Sequence, residues 1–305
     1  MLRNLMLRAA ASPHLMAAFA TLGRRSGLAR RFIAGETMEE TMQVVRDLEG
    51  SGLRTTLDLL GENTTHEEES RQAAGAYSRL LNGIRDQSVG STISIKLTQL
   101  GLEISPDLCH RNLRGILQEA ERLGNFVRID MEDSHHTQAT LDLFRRALEE
   151  FGAKRVGIVI QAYLYRSEQD VRDLSRLGCN VRLCKGAYME PPAVAFPAKA
   201  DVDRNFTKLV DILLDSPAFA AIATHDDRMI AHAEESVSRR GIQGDRFEFQ
   251  MLFGVRREKQ AALRAQGYGM RVYVPFGTQW APYFMRRLAE RPANLLFLMR
   301  NFFRR

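Results

Sequence analysis

Cysteine is scarce in this sequence of 305 residues, which contains only Cys109, Cys179 and Cys184. No two of them form a CxxC pair. Cys179 and Cys184 are five positions apart in a predicted strand, so their side chains point to opposite faces and are poorly placed to bridge. This shortage argues against a disulfide-stabilised secreted scaffold, and a reducing cytoplasm is the simplest setting.

Long apolar runs and several familiar motifs are also missing. The longest apolar candidate, LLFLM at Leu295 to Met299, is far shorter than the roughly 18 residues that a membrane-spanning helix needs. No GxGxxG, P-loop or Ser-His-Asp order occurs. The sequence therefore predicts neither an integral membrane protein nor an enzyme defined by one of these motifs.

Acidic residues are absent from the first 35 positions, which contain six arginines. Such a segment has the composition of a mitochondrial transit peptide, or it forms a pair of amphipathic helices retained in the mature protein. A further helix is predicted from Thr37 to Leu48, because Thr37 is followed by Glu40 three residues later and a glycine lies beyond the end. We therefore expect an N-terminal helical arm over residues 1–53.

From Arg54 onwards, short apolar segments alternate with longer helical patterns. This alternation is typical of parallel strands with crossover helices, and eight units predict one α/β domain over residues 54–305, a closed (βα)₈ TIM-like barrel. The stretch from Glu190 to Asp203 is too long for a plain turn, so we predict a functional loop at the barrel mouth. The strand candidates are RTTLDLL, ISIKL, FVRIDM, VGIVIQ, NVRLCK, AIATHD, RFEFQML and MRVYVPF.

Polar side chains alternate with apolar ones in several of these strands. In ISIKL, Lys96 lies opposite the apolar face that must meet the helices, so it points into the barrel. The same count turns other polar side chains inward, namely Arg128, Asp130, Glu132, Arg182 and Tyr273. Barrel active sites lie at the carboxyl ends of the strands, so Lys96, Asp130, Arg182 and Tyr273 predict a site there. The alternative is a set of paired polar groups that belongs only to the barrel core.

Metal binding is a weaker hypothesis, and we expect no metal. His135 and His136 are adjacent on a predicted helix, so their rings point apart. The THDD sequence at 224–227 could supply ligands together with Asp130 and Glu132, but the nearby cationic Lys96 and Arg182 would oppose a metal ion.

The motifs DLLGE, SIKLTQLG, RIDMEDS, VIQAYL, RLCKGAY, ATHD, FEFQMLFG, YVPFG and RRLAE together resemble the proline dehydrogenase family in its short monofunctional bacterial form. The likeness runs from about Phe32 to Asn294. It implies a distorted (βα)₈ barrel with its last helix over the mouth and FAD at the strand ends. It also implies oxidation of L-proline to Δ1-pyrroline-5-carboxylate, with electrons passed to a membrane quinone.

Carried over by position, the resemblance assigns site residues in three groups. The positions treated as catalytic are Asp130 and Arg182. FAD contacts fall on Met131, Gln161, Arg182, Lys185, Gly186, Ala187, Thr224 and His225. Residues that pack around the proline ring are Leu252, Tyr273 and Tyr283.

The resemblance also implies a clamp for the substrate carboxylate, formed by Lys96, Arg286 and Arg287. Guanidinium groups match a carboxylate bidentately, which suits this role. Glu290 would brace the clamp one helical turn from Arg286, and Glu62 would pair with Arg286 to gate the site. The alternative for the arginine pair is a solvated helix face.

Two other classes of function stay open on the sequence alone. A Schiff-base aldolase would also use an inward lysine, Lys96 or Lys185. A non-enzymatic module would bind membrane or nucleic acid through the basic ends, although we expect no nucleic-acid partner. For the enzyme we predict a cytoplasmic location, with peripheral contact between the basic ends and the inner face of the cell membrane as a further hypothesis.

Overall fold

Eight parallel strands form a closed barrel in the computed structural model, which describes residues 31–281 and Tyr283. Each strand pairs with the next along the chain, and the last strand closes the barrel against the first. In order, the strands are β1 (Arg54–Leu59), β2 (Thr92–Ile95), β3 (Val127–Ile129), β4 (Val156–Gln161), β5 (Asn180–Cys184), β6 (Phe219–Ala223), β7 (Phe247–Leu252) and β8 (Met270–Phe276).

A helix precedes the barrel, and one helix lies between each strand and the next. The first helix is α1 (Met38–Gly50). The crossover helices are α2 (Glu67–Asp86), α3 (Pro106–Arg122), α4 (Thr137–Phe151), α5 (Ser167–Arg176), α6 (Lys199–Leu214), α7 (Asp227–Arg240) and α8 (Arg257–Ala265). None of the helices in the described ranges is both long and apolar enough to cross a membrane.

The main hydrophobic core lies between the strands and the surrounding helices. Apolar strand residues such as Ile93, Ile129 and Val181 are fully buried there against the apolar faces of the helices. Met42 and Val45 of α1 belong to the same core. Because the outward strand positions fill this layer, the inward positions are left for polar side chains.

The predicted start of α1 is confirmed, because the Thr37 side chain accepts a hydrogen bond from the Glu40 amide at 3.3 Å. The chain just before this helix is fastened to the end of β8. The Ala34 amide donates to the Pro275 carbonyl at 2.9 Å, and the Gly277 amide donates to the Gly35 carbonyl at 2.9 Å. The rest of the predicted N-terminal arm, residues 1–30, lies outside the described residues, as does most of the predicted last helix.

The prediction of eight strands in a closed (βα)₈ barrel is confirmed, although several strand boundaries differ from the predicted segments. The sixth strand begins at Phe219, two residues before the predicted AIATHD segment. The predicted end of the long loop at Asp203 is wrong, because α6 begins at Lys199 and buries Asp203 within its second turn. The loop itself packs against the residues after β4, where the Tyr165 amide donates to the Val194 carbonyl at 3.0 Å.

Candidate active site

Lys96 lies immediately after β2 and points into the barrel, as predicted. Its ammonium group forms an ion pair with Asp58 of β1 at 2.7 Å and lies 3.8 Å from Asp130, which follows β3. Lys96 is buried and Asp58 is fully buried. A buried ammonium is stable only beside such acceptors, so the two carboxylates hold Lys96 in place.

Arg182 on β5 donates to three different partners with its three nitrogen atoms. Nη1 donates to Asp130 at 2.8 Å, Nε to Gln250 at 2.6 Å, and Nη2 to Ser94 at 3.0 Å. The partners come from three separate parts of the barrel, so the guanidinium plane is fixed across its interior.

Asp130 joins this group to Tyr273. Its Oδ1 receives the Arg182 hydrogen bond, and its Oδ2 accepts the Tyr273 hydroxyl proton at 2.7 Å. The Arg182 guanidinium lies 5.1 Å from the centre of the Tyr273 ring, a cation–π distance. The four inward residues predicted from strand alternation therefore form one connected group.

The charges of this group are set by their surroundings. Burial alone would lower the pKa of Lys96, but the carboxylates of Asp58 and Asp130 outweigh it, and the pKa is raised well above its ordinary value. Burial, together with the charge of Asp130, also raises the pKa of Tyr273. Lys96 is consequently a cation and Tyr273 a neutral phenol at physiological pH.

A second set of predicted residues lies at the ends of β4 and β6. The buried Gln161 amide donates to the Glu132 carbonyl at 2.6 Å. The Thr224 hydroxyl accepts the Asp226 amide at 3.2 Å, and His225 Nε2 accepts the Leu252 amide at 3.0 Å. These bonds fix an amide, a hydroxyl and an imidazole along one part of the barrel rim.

Lys185 directly follows β5 on the same rim. Its ammonium group donates to Asp203 at 2.5 Å and to Asp226 at 2.8 Å. Burial by itself would raise the pKa of Asp226, but the hydrogen bond and charge of Lys185 lower it well below its usual range. The next residue, Gly186, has a φ of +109°, and Ala187 is half-buried beside it.

The remaining predicted residues divide into described and undescribed positions. Met131 and Tyr283 are buried, and Leu252 and Glu62 are half-buried. The charge of Glu62 contributes to the raised pKa of Lys96, so this carboxylate lies within electrostatic range of the lysine. The predicted clamp and brace residues, Arg286, Arg287 and Glu290, lie outside the described residues.

Three polar residues that hold the site together are not among those predicted from the sequence. Asp58 pairs with Lys96, Gln250 accepts from Arg182, and Glu248 accepts the Gln250 amide at 2.7 Å. The strand alternation that identified Lys96 also applies to RTTLDLL and RFEFQML, where these residues occupy the inward positions. The alternation of polar and apolar residues in β1 and β7 therefore predicts that these three side chains point inward.

The carboxylates proposed as metal ligands are instead bonded to other side chains. Asp130 is engaged with Arg182 and Tyr273, and Asp226 with Lys185. Within residues 31–281 and Tyr283, no three His, Cys, Asp or Glu side chains are grouped to hold a metal ion.

With the geometry of this polar group established, the sequence of the chain can be compared with those of known proteins. The sequence model of the proline dehydrogenase family matches residues 41–300. The chain belongs to the proline dehydrogenase family. It is 44% identical over 300 residues to Proline dehydrogenase 1 of Bacillus subtilis, with 98% of each chain covered. It is 43% identical over 275 residues to the Proline dehydrogenase of Deinococcus radiodurans, with 89% of each covered.

Proteins with solved structures share the barrel. Proline utilization A (PutA) from Bdellovibrio bacteriovorus, inactivated by N-propargylglycine, superposes with a TM-score of 0.82 at 27% identity. The likeness covers 89% of this chain and 33% of the PutA chain, so this chain spans about a third of that longer protein. The PutA of Bradyrhizobium japonicum, at 23% identity and a TM-score of 0.71, shares the fold.

Proposed function

We propose that this chain oxidises L-proline to Δ1-pyrroline-5-carboxylate, the first step of proline catabolism to glutamate, with FAD as its cofactor. The observation that supports it best is the buried group of Lys96, Asp130, Arg182 and Tyr273 at the end of the barrel where active sites lie. Membership of the proline dehydrogenase family supports the same substrate.

The rim of β4 to β6 has the donor set that FAD requires. Gln161 and Thr224 supply buried hydrogen-bonding groups for a polar ring system, and Lys185, held in place by Asp203 and Asp226, supplies an ammonium group that could donate to a pyrophosphate. Gly186 has a φ of +109°, and the Tyr163 ring occupies the space where a Cβ atom would lie, so the backbone approaches its neighbours here without a side chain between them. We therefore assign FAD binding to this rim, with Met131, Arg182, Ala187 and His225 as further contacts.

When bound, FAD would supply the acceptor for a hydride taken from C5 of proline. The protein's task is to orient the substrate and to place charge around it. Positive charge developing on the ring nitrogen requires the substrate to react as the neutral amine. Asp130 lies at the centre of the group, where hydrogen bonds from Arg182 and Tyr273 hold its carboxylate in position.

The substrate carboxylate needs a cationic partner inside the barrel. Lys96 provides one, because its raised pKa keeps it protonated at the barrel mouth. We propose that Arg286 and Arg287 complete the clamp, braced by Glu290, and that Glu62 gates it. Leu252, Tyr273 and Tyr283 would then border the proline ring.

The charged state of Lys96 argues against the aldolase alternative. Schiff-base formation needs a neutral amine, and the carboxylates around Lys96 favour its charged form. Lys185, the other candidate, forms ion pairs with Asp203 and Asp226. Neither lysine has the apolar surroundings that would make it a nucleophile.

We propose a membrane quinone as the final electron acceptor, reached from the cytoplasm by peripheral contact of the protein with the membrane. The support is the family resemblance and the arginine-rich ends of the chain, which would be attracted to an anionic surface. The test is removal of residues 295–305. If turnover with a lipid quinone falls relative to the full chain while turnover with a soluble dye is unchanged, the tail makes this contact.

Spectroscopy of the purified protein tests the proposed reaction. We expect flavin absorption bands that bleach under anaerobic conditions with L-proline and persist with D-proline or glutamate. A colourless protein that trapped a carbonyl substrate with borohydride would instead support the aldolase. A preparation that could not be reconstituted with FAD would contradict the proposal.

Substitution of Tyr273 tests its proposed place beside the substrate ring. Tyr273→Ser removes the ring that lies against Arg182, so we expect weaker discrimination against 4-hydroxyproline, by roughly tenfold in the ratio of kcat/KM values. Tyr273→Phe is the matched control, since it keeps the ring and loses only the hydrogen bond to Asp130. An unchanged ratio in Tyr273→Ser would place the ring away from the substrate.

A further inference from the structure

A cavity of about 210 Å³ lies inside the barrel at the end opposite the candidate active site. Its lining includes Arg54 and Asn180, the first residues of β1 and β5, which fixes its position at the amino-terminal ends of the strands. The Arg54 side chain is 53% exposed, so the cavity opens to solvent beside it. Of the described residues proposed to bind proline or FAD, only Arg182 borders this space.

Positive charge dominates the lining of this cavity. Arg54, Arg128 and Arg271 are opposed by a single carboxylate, Glu248. Glu248 is already shared, because it accepts from Arg271 at 2.6 Å and from Arg54 at 3.2 Å. Arg182 also borders the cavity, but its charge is matched by Asp130. Three guanidinium groups against one carboxylate leave two positive charges without a counterion among the residues that line the cavity.

Arg128 is the least compensated of these groups. It is 3% exposed, and its Nη atoms donate only to uncharged acceptors, the carbonyls of Ile158 and Asn180 and the Asn180 side chain. Its Nε is buried and has no hydrogen-bond partner within the described part of the chain. The ring of Phe126, 5.0 Å away, provides a cation–π contact but no negative charge.

The energetic consequence is an unfavourable environment for the Arg128 guanidinium at the amino-terminal end of the barrel. Burial, followed by the neighbouring charges of Arg182 and Arg271, lowers the pKa of Arg128 well below its ordinary value. A guanidinium nevertheless stays protonated in proteins, so the repulsion is borne by the folded state unless a counterion enters.

We propose that this cavity binds a small inorganic anion, of the size of chloride or phosphate, between the guanidinium groups of Arg54, Arg128 and Arg271. The anion enters past the half-exposed Arg54 side chain and neutralises part of the excess charge. Guanidinium groups bind halide and oxyanions through charge-assisted hydrogen bonds, and the cavity volume accommodates either. Binding to the folded state alone stabilises it in proportion to anion concentration.

Thermal unfolding of the flavin-loaded protein tests the proposal. Tm is measured against sodium chloride and, separately, sodium phosphate, with the sodium salt of HEPES, a bulkier anion, keeping ionic strength constant. We expect Tm to rise by about 2 °C or more at saturation. Arg54→Gln should raise the half-saturating chloride concentration about tenfold, because one charged contact is lost. The larger response among the two salts identifies the preferred anion.

Arg128→Met separates anion binding from a purely structural role. If Arg128 serves only its hydrogen bonds to Ile158 and Asn180, the variant should lose Tm equally in every buffer. We expect instead that Arg128→Met is at least as stable as the parent in HEPES and is insensitive to chloride. Arg155→Gln, which removes an arginine at the same end of the barrel outside the cavity lining, should keep the parent's response.

A direct measurement covers the case in which Arg128→Met does not fold. Crystals soaked in sodium bromide should show an anomalous peak inside the cavity beside the arginines. No peak, together with the same chloride response in the parent and Arg54→Gln, would overturn the proposal and leave a solvent-filled cavity.

Discussion

Replacement of Arg182 by methionine is expected to lower kcat/KM for L-proline by about 10²–10³-fold. Arg182 fixes Asp130, Gln250 and Ser94 around its guanidinium group. Its loss therefore removes both a positive charge and the hydrogen bonds that hold these three side chains in place. The measurement is steady-state kinetics with a soluble dye as acceptor, with the flavin content of each preparation recorded.

The fold should survive this replacement, which makes the kinetic result interpretable. Breaking a buried ion pair costs about 3–5 kcal/mol when the remaining charge has no other partner. Asp130 keeps the Tyr273 hydroxyl at 2.7 Å and Lys96 at 3.8 Å, so the cost should be smaller. The Tm of the variant, measured by thermal unfolding, checks this expectation.

Arg182→Lys is the matched control because it keeps the positive charge. A lysine has one nitrogen on a flexible stem and cannot reach three separated acceptors in fixed directions. We expect a loss between that of methionine and none, of about 10–100-fold in kcat/KM. Parent-like kcat/KM in a folded, flavin-loaded Arg182→Met protein would remove Arg182 from the proposed catalytic group.

The fold could be predicted from the sequence because it depends on a repeated local pattern. Each apolar run, such as VGIVIQ from Val156, is followed by a helical stretch long enough to return the chain to the start of the next strand. The boundaries were less predictable. Phe219 joins β6 because it pairs with Asn180 of the neighbouring strand, a contact that no local pattern contains.

The candidate site was predictable only as far as side-chain direction allowed. Alternation shows that Lys96 and Arg182 face inward, but it does not show at which height each side chain meets its partners. Arg128 has the same parity as Asp130, yet it reaches Asn180 at the opposite end of the barrel. Such differences depend on the stagger between neighbouring strands, which is a property of the closed barrel.

The rim of β5 shows a further limit of sequence reasoning. A glycine after a strand is compatible with a flexible turn, but the structure places Gly186 against an aromatic ring. A Cβ atom added at Gly186 would lie 2.4 Å from the ring of Tyr163. Glycine is required here for space as well as for its φ of +109°.

The Tyr163 ring cannot easily move away from such a Cβ atom. Its backbone amide donates to the Lys185 carbonyl at 2.9 Å, and its hydroxyl donates to Glu190 at 3.3 Å. Glu190 in turn accepts the Ser134 amide at 2.7 Å, which ties this part of the long loop to the segment after β3. Displacement of the ring would therefore disturb three neighbouring segments of the barrel mouth.

Gly186→Ala is accordingly expected to destabilise the protein by about 2–5 kcal/mol, combining overpacking with backbone strain. It should also reduce the flavin retained after purification, because the rim proposed to hold FAD is displaced. The measurements are Tm and the ratio of flavin to protein absorbance. Gly124→Ala is the matched control, since Gly124 also has a positive φ, of +70°, but has no atom within 4 Å of an added Cβ.

The comparison between the two glycines decides the cause of the loss. Gly124→Ala should cost about 1 kcal/mol, which is the conformational term alone, and should leave flavin content unchanged. Adding Tyr163→Ala to Gly186→Ala removes the ring that the new methyl group would strike, so part of the flavin content should return. Equal destabilisation by Gly186→Ala and Gly124→Ala, with full flavin in both, would contradict the close approach of Gly186 to Tyr163 and its proposed place at the cofactor rim.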